Sequence, residues 1–104
     1  MVQLTPAPAI NLYKQALELN PNSIDAHIGL GAAYLVSDKY DDALQAYTAA
    51  LASAPDHPMV HWGLVMTYVH LGRKQDARTH LKRFKTLAPN SRQIKQLEEM
   101  IEKE

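Results

Sequence analysis

The sequence predicts an all-α fold, specifically an α-solenoid made of antiparallel helix pairs. Three observations support this prediction. Many residues recur after 34 positions, apolar residues follow a helical period, and the breaks between periodic segments contain proline, glycine, asparagine or aspartate. Because short helical units cannot bury their apolar faces alone, we expect them to stack into one domain, which suits a chain of 104 residues.

The repeat appears when the chain is compared with itself. His27 and His61 are 34 residues apart, as are Tyr34 and Tyr68. The same step relates Gly29 to Gly63, Leu30 to Leu64, Ala43 to Ala77, Tyr13 to Tyr47, Leu17 to Leu51, and Pro55 to Pro89. The matches divide the chain into four predicted units, which are a half repeat over residues 9–23, a full repeat over 24–57, a full repeat over 58–91 and a capping helix over 92–104.

Local signals mark the ends of the predicted helices. Ser23 precedes an apolar pattern and is a suitable N-cap, and Pro58 suits a first helical turn, where its missing N–H has no intrahelical partner to lose. Asp38 and Gly72 stand where the chain must turn within a repeat, and both residue types tolerate a left-handed backbone. These signals predict one helical hairpin in each repeat.

The two ends of the chain differ. The start, MVQLTPAP, contains Pro6 and Pro8, so we do not expect it to form the first helix that the half repeat lacks. The C-terminal segment places Ile94, Leu97 and Ile101 on one stripe with charged residues elsewhere, as expected for a helix that caps a solenoid. We therefore expect either a fragment of a longer array or a chain whose missing neighbour comes from another molecule.

The segment AHIGLGAAYLVSDKYDDALQAYTAALASAPD, residues 26–56, resembles a tetratricopeptide repeat (TPR). Leu30 and Gly31 match the leucine–glycine pair of that family, and Tyr34 matches the aromatic residue that follows. The second helix and its end match at Ala43, Tyr47, Ala50 and Pro55. The resemblance covers residues 9–91 and implies a right-handed solenoid that acts by binding other proteins.

The last repeat departs from the family pattern at two positions. Val65 replaces the small residue that follows the leucine, and Phe84 replaces the second alanine. Both side chains are larger than usual, so we expect this repeat to pack more loosely or against something different.

A second apolar stripe runs along the first helix of each repeat. Met59, Trp62 and Met66 share one helical face, rotated by about 100° from the stripe that packs within the hairpin. The resemblance implies that such positions line the concave surface, where extended or helical peptides bind. Methionine suits surfaces that repack around varied partners, and tryptophan is common at binding hot spots. We therefore predict a mostly apolar groove lined by Asp25, Ile28, Ala32, Leu35, Met59, Trp62, Met66, Val69 and His70.

The expected occupant of this groove is an amphipathic helix or short apolar segment of a protein partner. A competing interpretation places part of the stripe, notably Ile28 and Leu35, in the core between neighbouring repeats. TPR proteins that hold acidic C-terminal tails use asparagine, lysine and arginine as a carboxylate clamp, and these first-helix faces lack all three. A structural alternative is self-assembly, in which another copy stacks on the N-terminal end around Leu12, Tyr13 and Leu19.

The histidines raise the hypothesis of a metal site. His57 and His61 are four residues apart, a spacing that suits two ligands on one helix. No set of three or four converging ligands is apparent, and His70 faces the opposite side of the helix from His61. The simpler interpretation is that His61 and its repeat equivalent His27 are hydrogen-bonded packing residues. We therefore predict no metal site and no cofactor.

Composition and charge disfavour several other functions. The formal net charge is zero, so no overall field attracts nucleic acid or an anionic membrane. The longest uncharged run, residues 58–72, is too short to cross a bilayer. The basic face at Arg78, Lys82 and Lys85 is interpreted as a solvated convex face, with an acidic partner as the alternative. Without a catalytic motif or a visible signal peptide, we predict a protein that is not an enzyme, and by default one that is soluble and cytoplasmic.

Overall fold

The computed structural model describes residues 7–103 and, over that range, contains helices and no strands. The six helices are α1 (Ala7–Leu19), α2 (Ile24–Val36), α3 (Tyr40–Ser53), α4 (Pro58–His70), α5 (Lys74–Leu87) and α6 (Gln93–Lys103). The prediction of an all-α fold is confirmed. None of these helices is long and apolar enough to span a membrane.

The first helix begins earlier than the half repeat predicted from the sequence. α1 includes Ala7 and Pro8, which precede the predicted half repeat of residues 9–23. The physical reason is that a proline in the first helical turn loses no intrahelical hydrogen bond. The rest of the MVQLTPAP segment, residues 1–6, lies outside the described residues.

The local signals at the helix ends act as predicted. Ser23 caps α2, where its hydroxyl accepts a hydrogen bond from the Ala26 backbone N–H at 3.2 Å. Pro58 occupies the first turn of α4. Asp38 and Gly72, with φ angles of 60° and 74°, make the left-handed turns between the helices of each pair. These predictions are confirmed because each depends on the backbone preference of a single residue.

Helix packing makes one side of the solenoid concave. α2 packs on α3 and α4 packs on α5, while α1 contacts α2 and α3 contacts α4. In addition, α2 contacts α4 and α4 contacts α6, whereas no Cα atoms of α1, α3 and α5 come within 8 Å of one another among the described residues. Since a stack of helix pairs curves toward the side on which the helices lie closer, α2, α4 and α6 form the concave face. The other helices form the convex face, with grooves between them.

An aromatic ring joins the two helix pairs in the middle of the structure. The Tyr47 side chain of α3 is fully buried and lies between Gly31 of α2 and Gly63 of α4. A Cβ atom at Gly31 would lie 2.7 Å from Tyr47 Cε2, and one at Gly63 would overlap the opposite edge of the ring. Burial raises the pKa of Tyr47 to about 12. Only glycine leaves room for this ring at both positions.

The last helix pair and α6 share an apolar cluster, here called the C-terminal core. Its buried members are Val65, Val69, Ala77, Leu81, Phe84, Leu97 and Ile101. Val65 is 0% exposed and Phe84 is 2% exposed, so of the two expected alternatives, looser packing or a different neighbour, the second describes both positions. The larger side chains are accommodated because they pack against Leu97 and Ile101 of the capping helix, which is the different neighbour that the sequence suggested.

Candidate functional site

The candidate site is the concave face formed by α2, α4 and α6. On α4, Met59 is 40% exposed, whereas Trp62 and Met66 are half-buried against the C-terminal core. The core holds the inner part of the Trp62 and Met66 side chains, and the remaining surface faces solvent. Anchored but partly exposed apolar side chains are what a binding surface needs, because little side-chain freedom remains to be lost when a partner binds.

The α2 side of the concave face offers less apolar surface. Ile28 and Leu35 are half-buried against Tyr47 and its apolar neighbours, so the core interpretation accounts for part of each side chain. Ala32 is also half-buried, and Asp25 is exposed in the first turn of α2. The partly exposed apolar side chains of the predicted groove are therefore larger on α4 than on α2.

Two predicted groove residues at the end of α4 occupy different environments. Val69 is 2% exposed and belongs to the C-terminal core, so its prediction as a residue accessible to a partner is wrong. The physical reason is that α6 packs over the end of α4 and covers the Val69 side chain with apolar residues. His70 is exposed and its ring stacks on Tyr40, with the two centroids 4.5 Å apart. His70 therefore lies at the edge of the face, beside the first turn of α3.

Sequence reasoning missed a contribution from the capping helix. Met100 of α6 is half-buried against the C-terminal core, as are Trp62 and Met66 of the neighbouring helix α4. Met100 stands 34 residues after Met66, so the repeat period contained a signal that could have found it. The apolar surface of the concave face thus extends from α4 toward α6.

A separate cluster of histidine side chains lies on the convex side of α4. His61 is 4% exposed, and its Nε2–H donates a hydrogen bond to the Pro55 carbonyl oxygen at 2.6 Å. Its Nδ1 therefore carries the lone pair and accepts a hydrogen bond from His80 Nδ1–H at 3.0 Å. The His80 ring in turn stacks on Tyr68, with centroids 5.6 Å apart. These contacts fix the orientation of both imidazoles.

His61 is the hydrogen-bonded packing residue that the sequence predicted. His27 makes the equivalent bond to the Pro21 carbonyl oxygen at 2.9 Å, although it is only half-buried. The partner of His61 was missed, because His80 lies 19 residues away on another helix and no helical period relates the two. The only sequence signal was that His80 replaces Ala46 of the preceding repeat.

The imidazoles of the proposed metal-ligand pair are engaged elsewhere. His57 is the N-cap of α4, where its Nδ1 accepts a hydrogen bond from the Met59 backbone N–H at 3.2 Å. Both ring nitrogens of His61 are bonded within the fold. Over residues 7–103, no group of three or more histidine, aspartate or glutamate side chains is placed to hold a metal ion.

The His80 environment predicts a pH dependence of stability. Burial lowers the pKa of His80 below its usual 6.5, the neighbouring His61 lowers it further, and Asp76 acts in the opposite direction. Since the unfolded chain then binds a proton more readily than the folded one, stability should fall as the pH drops below about 6.5. We expect His80→Asn to reduce this loss, because its amide can donate the same hydrogen bond without titrating. Urea unfolding of both proteins at pH 7.5 and pH 5.5 measures the difference, and equal pH dependence in the two proteins would contradict the prediction.

The fold and the concave face together define a helical-repeat scaffold for protein interaction. Two family models match the chain: one described as a TPR repeat over residues 8–36, and one described as a tetratricopeptide repeat over residues 37–101. The chain belongs to the tetratricopeptide repeat family. The predictions of this family and of an all-α TPR solenoid are confirmed. Both matching models describe helical repeats and not a catalytic domain.

Known proteins with similar sequence or structure include two that are named for the same repeats. The peroxisomal targeting signal receptor of Kluyveromyces lactis is 32% identical over 68 residues, which are 65% of this chain and 12% of the receptor. The TPR repeat-containing thioredoxin TTL4 of Arabidopsis thaliana is 29% identical over 75 residues, which are 72% of this chain and 11% of that protein. The solved Arabidopsis OM64 TPR domain matches with a TM-score of 0.88 at 21% identity, covering 94% of this chain and 81% of that domain. The structural likeness shows the fold, and the chain spans a small part of the two relatives.

Proposed function

We propose that this chain is a scaffold whose concave face binds a short segment of a partner protein, either an amphipathic helix or an apolar stretch. The observation that carries this proposal is the partly exposed apolar surface of Met59, Trp62 and Met66 on the middle helix of that face. A concave surface contacts a bound segment from several sides, so more apolar area is buried than on a flat one.

The chemistry of these side chains suits a helical or apolar ligand. Tryptophan contributes a large area with few rotatable bonds, and methionine adapts its shape to different neighbours. Asp25 at the start of α2 supplies a polar edge that orients the ligand. The likeness to a protein named as a receptor for a peroxisomal targeting signal supports the same mode of action, binding of a segment carried by another protein.

Trp62 permits a direct test because it is the only tryptophan in the chain. Peptides selected from a random displayed library on the wild-type protein should shift Trp62 fluorescence to shorter wavelength, because binding removes the indole from water. Met59→Gln should weaken their binding by about tenfold while leaving the melting temperature nearly unchanged, since Met59 is exposed. Titrations followed by fluorescence, with thermal melts by circular dichroism, measure both effects.

The matched control is Leu12→Gln, which removes an exposed apolar side chain from α1, outside the concave face. It should leave peptide affinity unchanged. Trp62→Ala should abolish capture and also lower stability somewhat, because part of the indole packs on the C-terminal core. The proposal fails if the selected peptides bind Met59→Gln as tightly as wild type, or if they saturate the protein without changing the Trp62 spectrum.

A second candidate function is self-assembly through α1. Leu12 is 64% exposed and Leu19 is 91% exposed, whereas Tyr13 is half-buried and lies directly over Gly29. The exposed leucines favour stacking on another copy, and Tyr13 belongs to the interior. Sedimentation of the wild-type protein and of Leu12→Gln tests this second candidate. A mass that rises with concentration in the wild type but not in Leu12→Gln supports self-assembly. A wild-type protein that is a monomer at every concentration counts against it.

A further inference from the structure

The convex face carries a groove that the proposed concave site does not use. It lies between α3 and α5, whose Cα atoms are more than 8 Å apart throughout the described residues, and it has a volume of about 530 Å³. The name convex groove is used here for the space lined by Leu51, Pro55, His61, Thr79, His80, Lys82, Arg83 and Thr86. Leu51 and Pro55 supply apolar surface, whereas α5 supplies hydroxyl, imidazole and cationic groups.

Side chains within the convex groove are held in place before any ligand arrives. His61 bonds to the Pro55 carbonyl oxygen through one ring nitrogen and to His80 through the other. The His80 ring is further held by stacking on the Tyr68 ring. Arg73 also lies over Tyr68, with its guanidinium carbon 4.8 Å from the centroid of the Tyr68 ring. Such fixed aromatic surface lowers the entropy lost when a ligand side chain packs on it.

The basic side chains along α5 are only partly neutralised. Two of them form ion pairs, which are Arg83 with Asp56 and Lys85 with Glu98. Arg78 and Lys82 have no carboxylate within 4.0 Å among residues 7–103. Because they are four residues apart, they lie one above the other on the same face of the helix. Lys82 lines the convex groove, so its positive charge borders apolar surface.

The preceding repeat shows that the fold does not require these cations. The equivalent groove, between α1 and α3, has a volume of about 190 Å³ and contains His27, which bonds to a proline carbonyl oxygen as His61 does. The positions of His80, Lys82 and Arg83 are occupied there by Ala46, Thr48 and Ala49. The two grooves therefore differ in size, in charge and in the second histidine. The convex groove is the larger one and has cations in its lining, so it is the better suited of the two to an anionic group.

We propose that the convex groove binds an acidic peptide segment of a partner protein that carries an apolar side chain. The apolar side chain packs on Leu51, Pro55 and the imidazole rings. Carboxylates beside it pair with Lys82, which lines the groove, and with Arg78 one helical turn away on α5; neither has a carboxylate within 4.0 Å among residues 7–103. Charge complementarity selects this occupant: a basic segment would be repelled, and a purely apolar one would leave the cations without counter-charges.

A labelled peptide tests this proposal. The probe is a fluorescein-labelled peptide with a central Leu-Phe pair flanked by glutamates, and its binding is followed by anisotropy at low ionic strength. We expect binding that Lys82→Glu weakens by about tenfold or more, because attraction becomes repulsion. His80→Ala, which restores the residue type of position 46, should also weaken it. The matched control Lys95→Glu makes the same charge change at an exposed site on α6 and should have little effect.

Other peptides and variants separate this site from the alternatives. Replacing the glutamates of the peptide by glutamine should abolish binding, and so should replacing its Leu-Phe pair by serine. The protein variant Met59→Gln should leave the affinity unchanged, because the concave face is not involved. The proposal is overturned by any of four results: no binding, an equal loss in Lys82→Glu and Lys95→Glu, equal binding of the serine peptide, or tighter binding of single-stranded nucleic acid or anionic vesicles. None of these results bears on the concave site, which is tested through Trp62.

Discussion

Gly63→Ala is expected to destabilise the protein by about 3 kcal/mol or more, the upper part of the range for overpacked cores. An added Cβ would overlap the Tyr47 ring, which is fully buried and is held on its other side by Gly31. The ring cannot move away without leaving its position between α2 and α4, so α3 and α4 must separate. Urea unfolding followed by circular dichroism measures the loss.

Two further variants show whether the overlap is the cause. Gly72→Ala should cost only about 1–2 kcal/mol, because its φ of 74° is unfavourable for alanine but no atom lies within 4 Å of the added Cβ. Combining Gly63→Ala with Tyr47→Leu should cost less than the sum of the single changes, since the smaller side chain relieves the overlap. A loss at Gly63 no greater than that at Gly72, or strict additivity, would contradict the explanation.

The chain itself contains a precedent for this compensation. The residues 34 positions after Tyr47 and Gly63 are Leu81 and Leu97, and both are buried in the C-terminal core. One repeat further along the chain, therefore, leucine stands both at the position of the tyrosine and at the position of the glycine that contacts it. The ring that would overlap a side chain at these positions is therefore absent from the last repeat, and Val65 and Leu97 stand at the positions of Gly31 and Gly63.

Phe84→Ala is the second change with a large expected effect, about 3–5 kcal/mol. Alanine is the usual residue of the family at this position, so the sequence alone would suggest that the substitution is harmless or beneficial. In the structure, Phe84 is 2% exposed and packs in the same cluster as Leu97 and Ile101 of α6. Removing the ring leaves a cavity between the last helix pair and the capping helix. Urea unfolding measures the loss, and hydrogen exchange should show α6 losing protection first.

The matched control for Phe84→Ala is Gln75→Ala, an exposed position on the same helix. It should change the free energy of unfolding by no more than about 0.5 kcal/mol. If Phe84→Ala were as mild as this control, or if α6 kept its protection, the C-terminal core would not hold the capping helix in place.

The helix pairs and their turns were predictable because their signals are local or periodic. Ser23, Asp38 and Gly72 act through their own backbone preferences, and the 34-residue step relates equivalent positions of a repeated unit. The same step places Met66 and Met100 at equivalent positions on successive helices of the concave face. These features do not depend on which helices contact each other.

Burial along the concave face was less predictable. Leu35 and Val69 occupy equivalent positions, yet Leu35 is half-buried and Val69 is 2% exposed. The difference arises because α6 brings Leu97 and Ile101 into the same core as Val69, whereas Leu35 packs at the Tyr47 contact. A helical period describes the direction of a side chain on its own helix, but not the side chains that meet it.

The sequence by itself determined the family, the helical repeats, the turns and the apolar stripe of α4, because each follows from residue preferences or from a period. Only the tertiary structure decided which members of that stripe stay accessible, which neighbour accommodates Phe84, and which histidine completes the bond to His61. It also decided that the cations of α5 border an apolar groove. These features depend on contacts between residues distant in the chain, and such contacts are set by how whole helices pack.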